Sequence, residues 1–197
     1  MTHVQLRDGE LLIPDMTDDE FLEFCVQNRD RRIERTADGK VIVMSATGGE
    51  TGNQNSEITF QLVGWAKRDG RGMAFDSSTG FRLPNSAIRC PDAAWVSRLK
   101  TASLTNEQRK RFLPLCPDFV IELISPTDRP RQVKLKMSEY VANGCQLGWL
   151  IDPAAQRVII YRSAGQETFE KPAQLVGEGP VAGFVLDLTR VWEPEWS

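Results

Sequence analysis

Histidine is almost absent from this sequence, and its cysteines are few and scattered. The 197 residues contain one histidine, His3, and four cysteines, with no CxxC pair among them. Because zinc sites are built mainly from closely spaced cysteine and histidine ligands, this composition argues against a zinc protein. Dispersed cysteines are typical of reduced, buried thiols rather than of a disulfide framework, and we therefore expect a cytoplasmic protein.

Long apolar runs and an excess of basic charge are missing as well. No apolar run approaches the roughly 20 residues that span a bilayer, so we expect neither a membrane segment nor a signal peptide. The net charge of −3 argues against a wholly basic DNA-binding surface, and any nucleic-acid contact should be local. The length fits one domain over residues 1–197, and we expect residues 1–14 and 190–197 to be peripheral.

The order of the predicted elements indicates a mixed protein of the α/β (α+β) class. Thr17–Glu20 has the form of a helix capping box, and Ala37-Asp38-Gly39 should connect two strands as a β-hairpin. Residues 47–55 read as a loop, or as a loop leading into a helix over 56–67. Further strands are predicted at 73–75, 80–83, 92–97, 118–124, 147–151 and 157–162, a weaker hairpin over 167–176, and helices at 106–112 and 131–142. This order favours one central β-sheet with flanking helices.

The most informative segment is the predicted strand 118–124. It is apolar on both faces, which is typical of a strand in the middle of a sheet, yet it carries a carboxylate at Glu122. Burying an unpaired carboxylate costs on the order of several kcal/mol. We therefore expect a cation against Glu122, either a basic side chain or a metal ion.

A second acid and a lysine are predicted to approach the same place. Asp92 stands directly before another apolar run, and two acids on neighbouring strands would make a seat for a hard divalent cation. On the helix that follows Glu122, Lys136 should reach back toward the end of the strand, although the spacing does not exclude Lys134. Two carboxylates and a lysine suit metal-assisted hydrolysis of a phosphodiester. The alternative is a structural ion-pair network that holds no metal.

Six short segments, taken in order, carry a resemblance to a known family. They are Ser45–Ile58, Phe75–Pro84, Pro91–Ser97, Pro117–Asp128, Lys136–Tyr140 with Gly144, and Gly148–Pro153. In this arrangement the sequence resembles the Uma-two family of restriction-endonuclease-like proteins, which belong to the PD-(D/E)xK nuclease superfamily. The resemblance implies a central mixed β-sheet flanked by helices, a Mg²⁺-dependent nuclease site and DNA as the substrate.

The same resemblance implies roles for particular residues. Asp92 and Glu122 would match the two metal-binding acids, with the backbone carbonyl of Leu123 as a further ligand and Mn²⁺ as an alternative to Mg²⁺. The superfamily motif asks for a lysine two residues after the second acid, where this sequence has Ile124. The lysine would instead be displaced onto the next helix, at Lys136.

Three expectations complete the interpretation. Glu57 would be an additional catalytic acid, with Glu50 as its competitor, and Arg129 and Arg131 are candidate contacts to DNA. A homodimer is expected because duplex cleavage needs a cut in each strand. Since Ile124 occupies the lysine position of the motif, the alternative is a catalytically inactive nucleic-acid-binding or protein-interaction module on the same fold.

Overall fold

A computed structural model describes residues 9–12, 16–44 and 46–194. Within these residues a six-stranded mixed sheet forms the centre of the molecule, beside a five-stranded sheet and a two-stranded ladder. The strands of the six-stranded sheet, in spatial order, are β11 (Gly165–Glu170), β10 (Arg157–Arg162), β9 (Leu147–Asp152), β8 (Phe119–Leu123), β7 (Ala93–Ser97) and β4 (Gly72–Asp76).

Strands β8 and β9 run parallel, whereas the other neighbouring pairs of this sheet are antiparallel. Helix α5 (Pro130–Ala142) makes the crossover that a parallel pair requires. Because β8 lies inside the sheet, all five of its residues are buried. Its side chains alternate as predicted, with Phe119 and Ile121 on one face and Val120 on the other.

One face of the sheet is covered by α2 (Gly49–Asp69) and α6 (Thr189–Trp192). The core on this side is rich in aromatic rings, and Trp149 lies between Phe119 and Phe184. Val191 and Trp192 are buried in the same core, so the expectation that residues 190–197 are peripheral is wrong for these two residues.

The opposite face is covered by α5, whose Met137 and Tyr140 are fully buried. Two short helices, α3 (Arg98–Ala102) and α4 (Asn106–Arg109), lie in the connection from β7 to β8. Toward the C-terminal end of β8 this face changes from apolar to charged, because Asp92 and Glu122 are buried there.

The five-stranded sheet has the spatial order β1 (Gly9–Leu12), β3 (Lys40–Met44), β2 (Arg32–Arg35), β6 (Ile88–Arg89) and β5 (Phe81–Arg82). Helix α1 (Asp18–Gln27) begins at the predicted capping box, both hydrogen bonds of which are present. The predicted hairpin is confirmed between β2 and β3, and Gly39 takes the positive φ of +84° that its turn requires. Phe21 of α1 packs against this sheet, in a small separate core that contains Ile33, Val41, Val43 and Ile88.

Three sequence predictions are corrected by the structure. Helix α2 begins at Gly49 rather than near residue 56, because buried Gln54 donates a hydrogen bond to the Val191 carbonyl at 2.8 Å and holds the first turns in place. The hairpin predicted over 167–176 is wrong, since β11 pairs with β10 whereas β12 (Gln174–Val176) pairs with β13 (Val185–Asp187) across a 3₁₀ turn at Gly179–Val181. Strand β6 and helix α3 were not predicted.

Among the described helices, none combines the length and apolar character needed to cross a membrane.

Candidate functional site

The two predicted acids meet at the C-terminal end of β8. In the antiparallel register of β7 and β8, Ala93 lies opposite Ile121, and one further step along both strands places Asp92 opposite Glu122. The Leu123 N–H donates a hydrogen bond to Asp92 Oδ2 at 2.8 Å, so the Asp92 carboxylate is held beside the backbone that carries Glu122. Both acids are almost fully buried, with 5% and 4% exposure.

Helix α5 brings Lys136 to the same place. Its Nζ lies 2.7 Å from Glu122 Oε1, and the Tyr140 hydroxyl donates to that oxygen at 3.1 Å. Lys136 and Tyr140 are four residues apart and therefore share one side of the helix. Lys134, which the sequence left open, is exposed to solvent instead. The other oxygen of Glu122, Oε2, receives no hydrogen bond from any residue that the structure describes.

Strand β2 contributes two charged residues that the sequence interpretation missed. Arg32 and Glu34 are two positions apart on one strand and therefore point to the same side of it. Arg32 Nη1 lies 2.6 Å from Asp92 Oδ1, and Nη2 donates to the Cys90 carbonyl. Their local pattern is the i,i+2 spacing of opposite charges in a short hairpin strand, but such residues usually face solvent, so this spacing does not predict burial.

Glu34 binds three donors at once. Its Oε1 accepts from Lys136 Nζ at 2.7 Å and from the Cys90 N–H at 2.9 Å, and its Oε2 accepts from Arg89 Nη1 at 3.2 Å. Arg89 in turn pairs with Glu139 of α5 at 2.6 Å. The five-stranded sheet, the central sheet and α5 are thus joined through one buried network of charges.

The two carboxylates that share Lys136 have opposite electrostatic environments. Burial raises the pKa of Glu122 to about 7, and the charges of Asp92 and Glu34 add to this, while Lys136 and Arg32 oppose it. Burial also acts to raise the pKa of Glu34, but Lys136, Arg89 and Arg32 outweigh it and lower that pKa. Glu34 is therefore held as an anion, whereas Glu122 takes up a proton far more readily than an ordinary glutamate.

The basic members of the network stay charged. Burial acts to lower the pKa of Lys136, but attraction to Glu122 and Glu34 outweighs it, so the net shift is upward. The pKa of Arg32 is likewise raised because attraction to Asp92 and Glu122 exceeds the effect of burial. Burial beside Glu122 and Glu34 raises the pKa of Tyr140, which keeps its hydroxyl as a hydrogen-bond donor.

Comparisons with known proteins assign the family. The model of the Uma2 family, described as "Putative restriction endonuclease", matches residues 18–189. The chain belongs to the Uma2 family. A search of curated proteins gives no match. Among solved structures, a "putative nuclease belonging to DUF820" from Anabaena variabilis ATCC 29413 aligns with a TM-score of 0.69 and 23% identity, over 81% of this chain and 89% of that chain.

These findings confirm the predicted family and fold. A Uma2 match over most of the chain agrees with the resemblance drawn from the short motifs, and the Anabaena structure shares the mixed sheet flanked by helices. At 23% identity, that likeness establishes the fold alone. The Uma2 assignment therefore makes the chain restriction-endonuclease-like, while the roles of individual residues depend on the geometry described above.

Glu57 and Glu50, the candidates for an additional acid of the Uma2 site, lie apart from the charged network. Both belong to α2, which packs on the opposite face of the sheet from α5. The Glu57 carboxylate accepts a hydrogen bond from Gln61 at 2.9 Å, and Glu50 is exposed in the first turn of the helix. Within the described residues, no hydrogen bond or ion pair joins Glu57 to Asp92, Glu122 or Lys136.

The oxygen ligands at the end of β8 fit a hard divalent cation, but Arg32 already pairs with one of the two carboxylates. Over residues 9–12, 16–44 and 46–194, no three acidic, histidine or cysteine side chains are arranged to hold a metal ion, so the protein would offer two carboxylates. Glu122 Oε2 accepts no hydrogen bond from the described residues, and a carboxylate oxygen is the kind of ligand that Mg²⁺ prefers. Asp92 Oδ1, in contrast, is already neutralised by Arg32.

Proposed function

We propose that this Uma2 family member is a metal-dependent endonuclease that hydrolyses DNA phosphodiester bonds. The observation that carries the proposal is the contact of 2.7 Å between Lys136 Nζ and Glu122 Oε1, at the point of the sheet where Asp92 is fixed by the Leu123 N–H. Two carboxylates and an amine at one sheet end are the groups that metal-assisted phosphodiester hydrolysis requires. The family description and the shared fold support the same reaction class.

Each group has a proposed role. Asp92 and Glu122 would hold the Mg²⁺ or Mn²⁺ ion, with the backbone carbonyl of Leu123 as a further ligand. A bound divalent cation supplies Lewis-acid stabilisation of the charge that develops on the phosphate. The Lys136 amine would orient the attacking water and neutralise negative charge near it, and Glu34 keeps that amine in position.

The substrate is proposed from the reaction class and from local charge. Arg129 and Arg131 are exposed at the start of α5, the helix that carries Lys136, and are proposed contacts to DNA phosphates. A homodimer is proposed because cutting a duplex needs one site for each strand. To distinguish DNA from RNA as the substrate, cleavage of DNA is compared with cleavage of a single-stranded RNA of matched sequence.

A nicking assay on supercoiled plasmid tests the proposal. We expect cleavage with Mg²⁺ or Mn²⁺ that chelation abolishes, and a loss of at least on the order of a hundredfold in Glu122→Gln. Glu107→Gln removes the same charge from an exposed position in α4 and should leave cleavage unchanged. Glu57→Gln tests the additional acid, and its separation from the network predicts nearly full activity. Equal cleavage by wild type and Glu122→Gln would remove the proposed site.

One observation favours a second candidate function. Arg32 pairs with Asp92 and Lys136 pairs with both Glu34 and Glu122, so each of these three carboxylates already has a basic partner within the protein. A nucleic-acid-binding module without catalysis would show this arrangement too. In that case DNA binding, measured by fluorescence anisotropy, would be independent of divalent cations and unaffected by Glu122→Gln.

A further inference from the structure

Arg32 occupies the position on Asp92 that a divalent cation would need. Its Nη1 lies 2.6 Å from Asp92 Oδ1, and the other Asp92 oxygen already accepts the Leu123 N–H at 2.8 Å. Both oxygens of this carboxylate are therefore engaged by donors that belong to the protein. A cation on the remaining lone pair of Asp92 Oδ1 would lie beside the positively charged guanidinium, so movement of the guanidinium away from Asp92 favours cation binding.

The contacts of Arg32 make such a movement feasible. The side chain is 28% exposed, in contrast to 7% for Asp92, so part of the Arg32 side chain reaches the surface while the carboxylate is enclosed. Its Nε is buried and has no hydrogen-bond partner among the described residues. An arginine held through two of its three nitrogens leaves one buried donor unsatisfied, which lowers the cost of leaving this position.

The other two cations of the network are held more firmly. Lys136 contacts Glu34 and Glu122 at 2.7 Å each, and Arg89 bridges Glu34 and Glu139 with both side chains largely buried. Displacing either of them would break two buried ion pairs at once. Displacing Arg32 exposes one carboxylate, Asp92, whose charge the incoming cation itself would neutralise.

We propose that Arg32 is the internal counter-ion of Asp92 and that a divalent cation binds by taking its place. The inference rests on the proposed function, because it concerns the same metal site, and it adds that metal binding and release of the Arg32–Asp92 ion pair are one event. The released guanidinium then becomes a donor for the anionic phosphodiester. Arg32 is thus a positioning residue that links cation binding to phosphate binding.

Calorimetric titration with Mn²⁺ alone, without DNA, tests the exchange. Arg32→Gln removes the competing charge, and we expect Mn²⁺ to bind roughly five- to a hundredfold more tightly than in wild type. Arg35→Gln is the matched control, because Arg35 lies on the same strand but pairs with Asp18. It should change Mn²⁺ affinity by less than about twofold, since Arg35 points to the other side of the strand from Arg32 and its charge is compensated by Asp18. Asp92→Asn should abolish binding.

The outcomes separate this inference from the proposed function. One outcome overturns the exchange and leaves the proposed metal site intact. In it, wild type binds Mn²⁺, Asp92→Asn does not, and Arg32→Gln binds Mn²⁺ no more tightly than wild type. Absence of binding to wild type, Arg32→Gln and Asp92→Asn alike overturns both. Tighter binding in Arg32→Gln and not in Arg35→Gln supports both.

A second measurement uses the wild-type protein, because Arg32→Gln leaves Asp92 buried without a counter-ion and is expected to lower stability. The Nε–H signal of Arg32 in a nitrogen-15 NMR spectrum can be assigned from its loss in Arg32→Lys. We expect this signal to shift on titration with diamagnetic Mg²⁺, in step with binding, and to stay fixed in Asp92→Asn. A fixed signal in wild type while Mg²⁺ binds would overturn the exchange.

Discussion

The two faces of the central sheet are built on opposite principles, although the same strand supplies both. On the α2 side, Phe119 of β8 meets Trp149 edge to face, with ring centroids 4.9 Å apart, and Trp149 stacks on Phe184. On the α5 side, Glu122 of the same strand is buried among charges. The first arrangement stabilises the fold through area and packing, whereas the second requires every charge to find a partner.

This difference indicates which face of the sheet carries the candidate site. Buried ion pairs contribute little net stability, because desolvation consumes most of their attraction, and apolar residues of similar volume often do as well. The network around Glu122 therefore contributes little net free energy to the packing of α5 against the sheet. A buried network of this kind fits a functional site better than a scaffold.

The largest expected loss of stability comes from truncating a large side chain on the aromatic face. Trp149→Ala should lower the free energy of unfolding by about 4 kcal/mol, because the fully buried indole cannot be replaced without leaving a cavity. Glu122→Gln should lower it by less than about 1 kcal/mol, because Glu122 already takes up a proton readily and glutamine has nearly the same shape. Urea unfolding of the two variants beside wild type measures both values.

A milder substitution sharpens this contrast. The indole N–H of Trp149 is buried without a hydrogen-bond partner among the described residues, so Trp149→Phe removes an unsatisfied donor together with some packing. It should cost much less than Trp149→Ala. A Glu122→Gln loss as large as that of Trp149→Ala would mean that the charged face, too, is primarily structural.

The second effect concerns the amine that joins the charged face. Lys136→Met should lower the free energy of unfolding by about 3 kcal/mol, because Glu34 and Glu122 lose the cation they share. Lys134→Met, two residues earlier on the exposed side of α5, should change it by less than about 0.5 kcal/mol. Thermal and urea unfolding give the values, and equal losses in the two variants would show that Lys136 is not the buried partner of these acids.

Much of the fold was predictable because its central elements carry unambiguous patterns. The all-apolar strand β8, the helical spacing in α5 and the Asp38-Gly39 turn each have one physical solution, and the structure places them as expected. The start of α2 was missed because glycine, threonine and asparagine have weak helix propensity. Tertiary contacts at Thr51 and Gln54 override that propensity, and no local pattern reveals them.

The site was predictable only in part, for a related reason. Asp92 and Glu122 stand at the ends of strongly patterned strands, and Lys136 lies on the helix that follows β8, so their approach to one sheet end follows from local structure. Arg32 and Glu34 come from a hairpin strand whose docking depends on contacts far away in sequence. Charged residues in such strands usually face solvent, and nothing near them in the sequence indicates burial.

The third effect tests how closely the aromatic face is packed. A methyl group on Gly72 would overlap the Trp95 ring and the Val96 carbonyl, so Gly72→Ala should cost about 2 kcal/mol in stability. Gly64→Ala is the control, because this helical position has room for a methyl group and alanine favours the helix by about 0.5–1 kcal/mol. In urea unfolding, the same glycine-to-alanine change should therefore lower the free energy of unfolding at Gly72 and raise it at Gly64. The same sign in both would contradict the packing of Trp95 on Gly72.

The most gradual effect is a pH dependence that belongs to the charged face alone. Because burial raises the pKa of Glu122 from 4.5 to about 7, the folded protein holds a proton between those values that the unfolded chain has released. This contribution to stability is complete below pH 4.5 and is lost as the pH rises toward 7, by at most about 1.4 kcal/mol per pH unit. In metal-free protein, urea unfolding across this window should show wild type losing stability relative to Glu122→Gln. Asp92→Asn removes one of the charges that raise this pKa, so it should make the slope shallower, whereas Trp149→Phe should leave it unchanged.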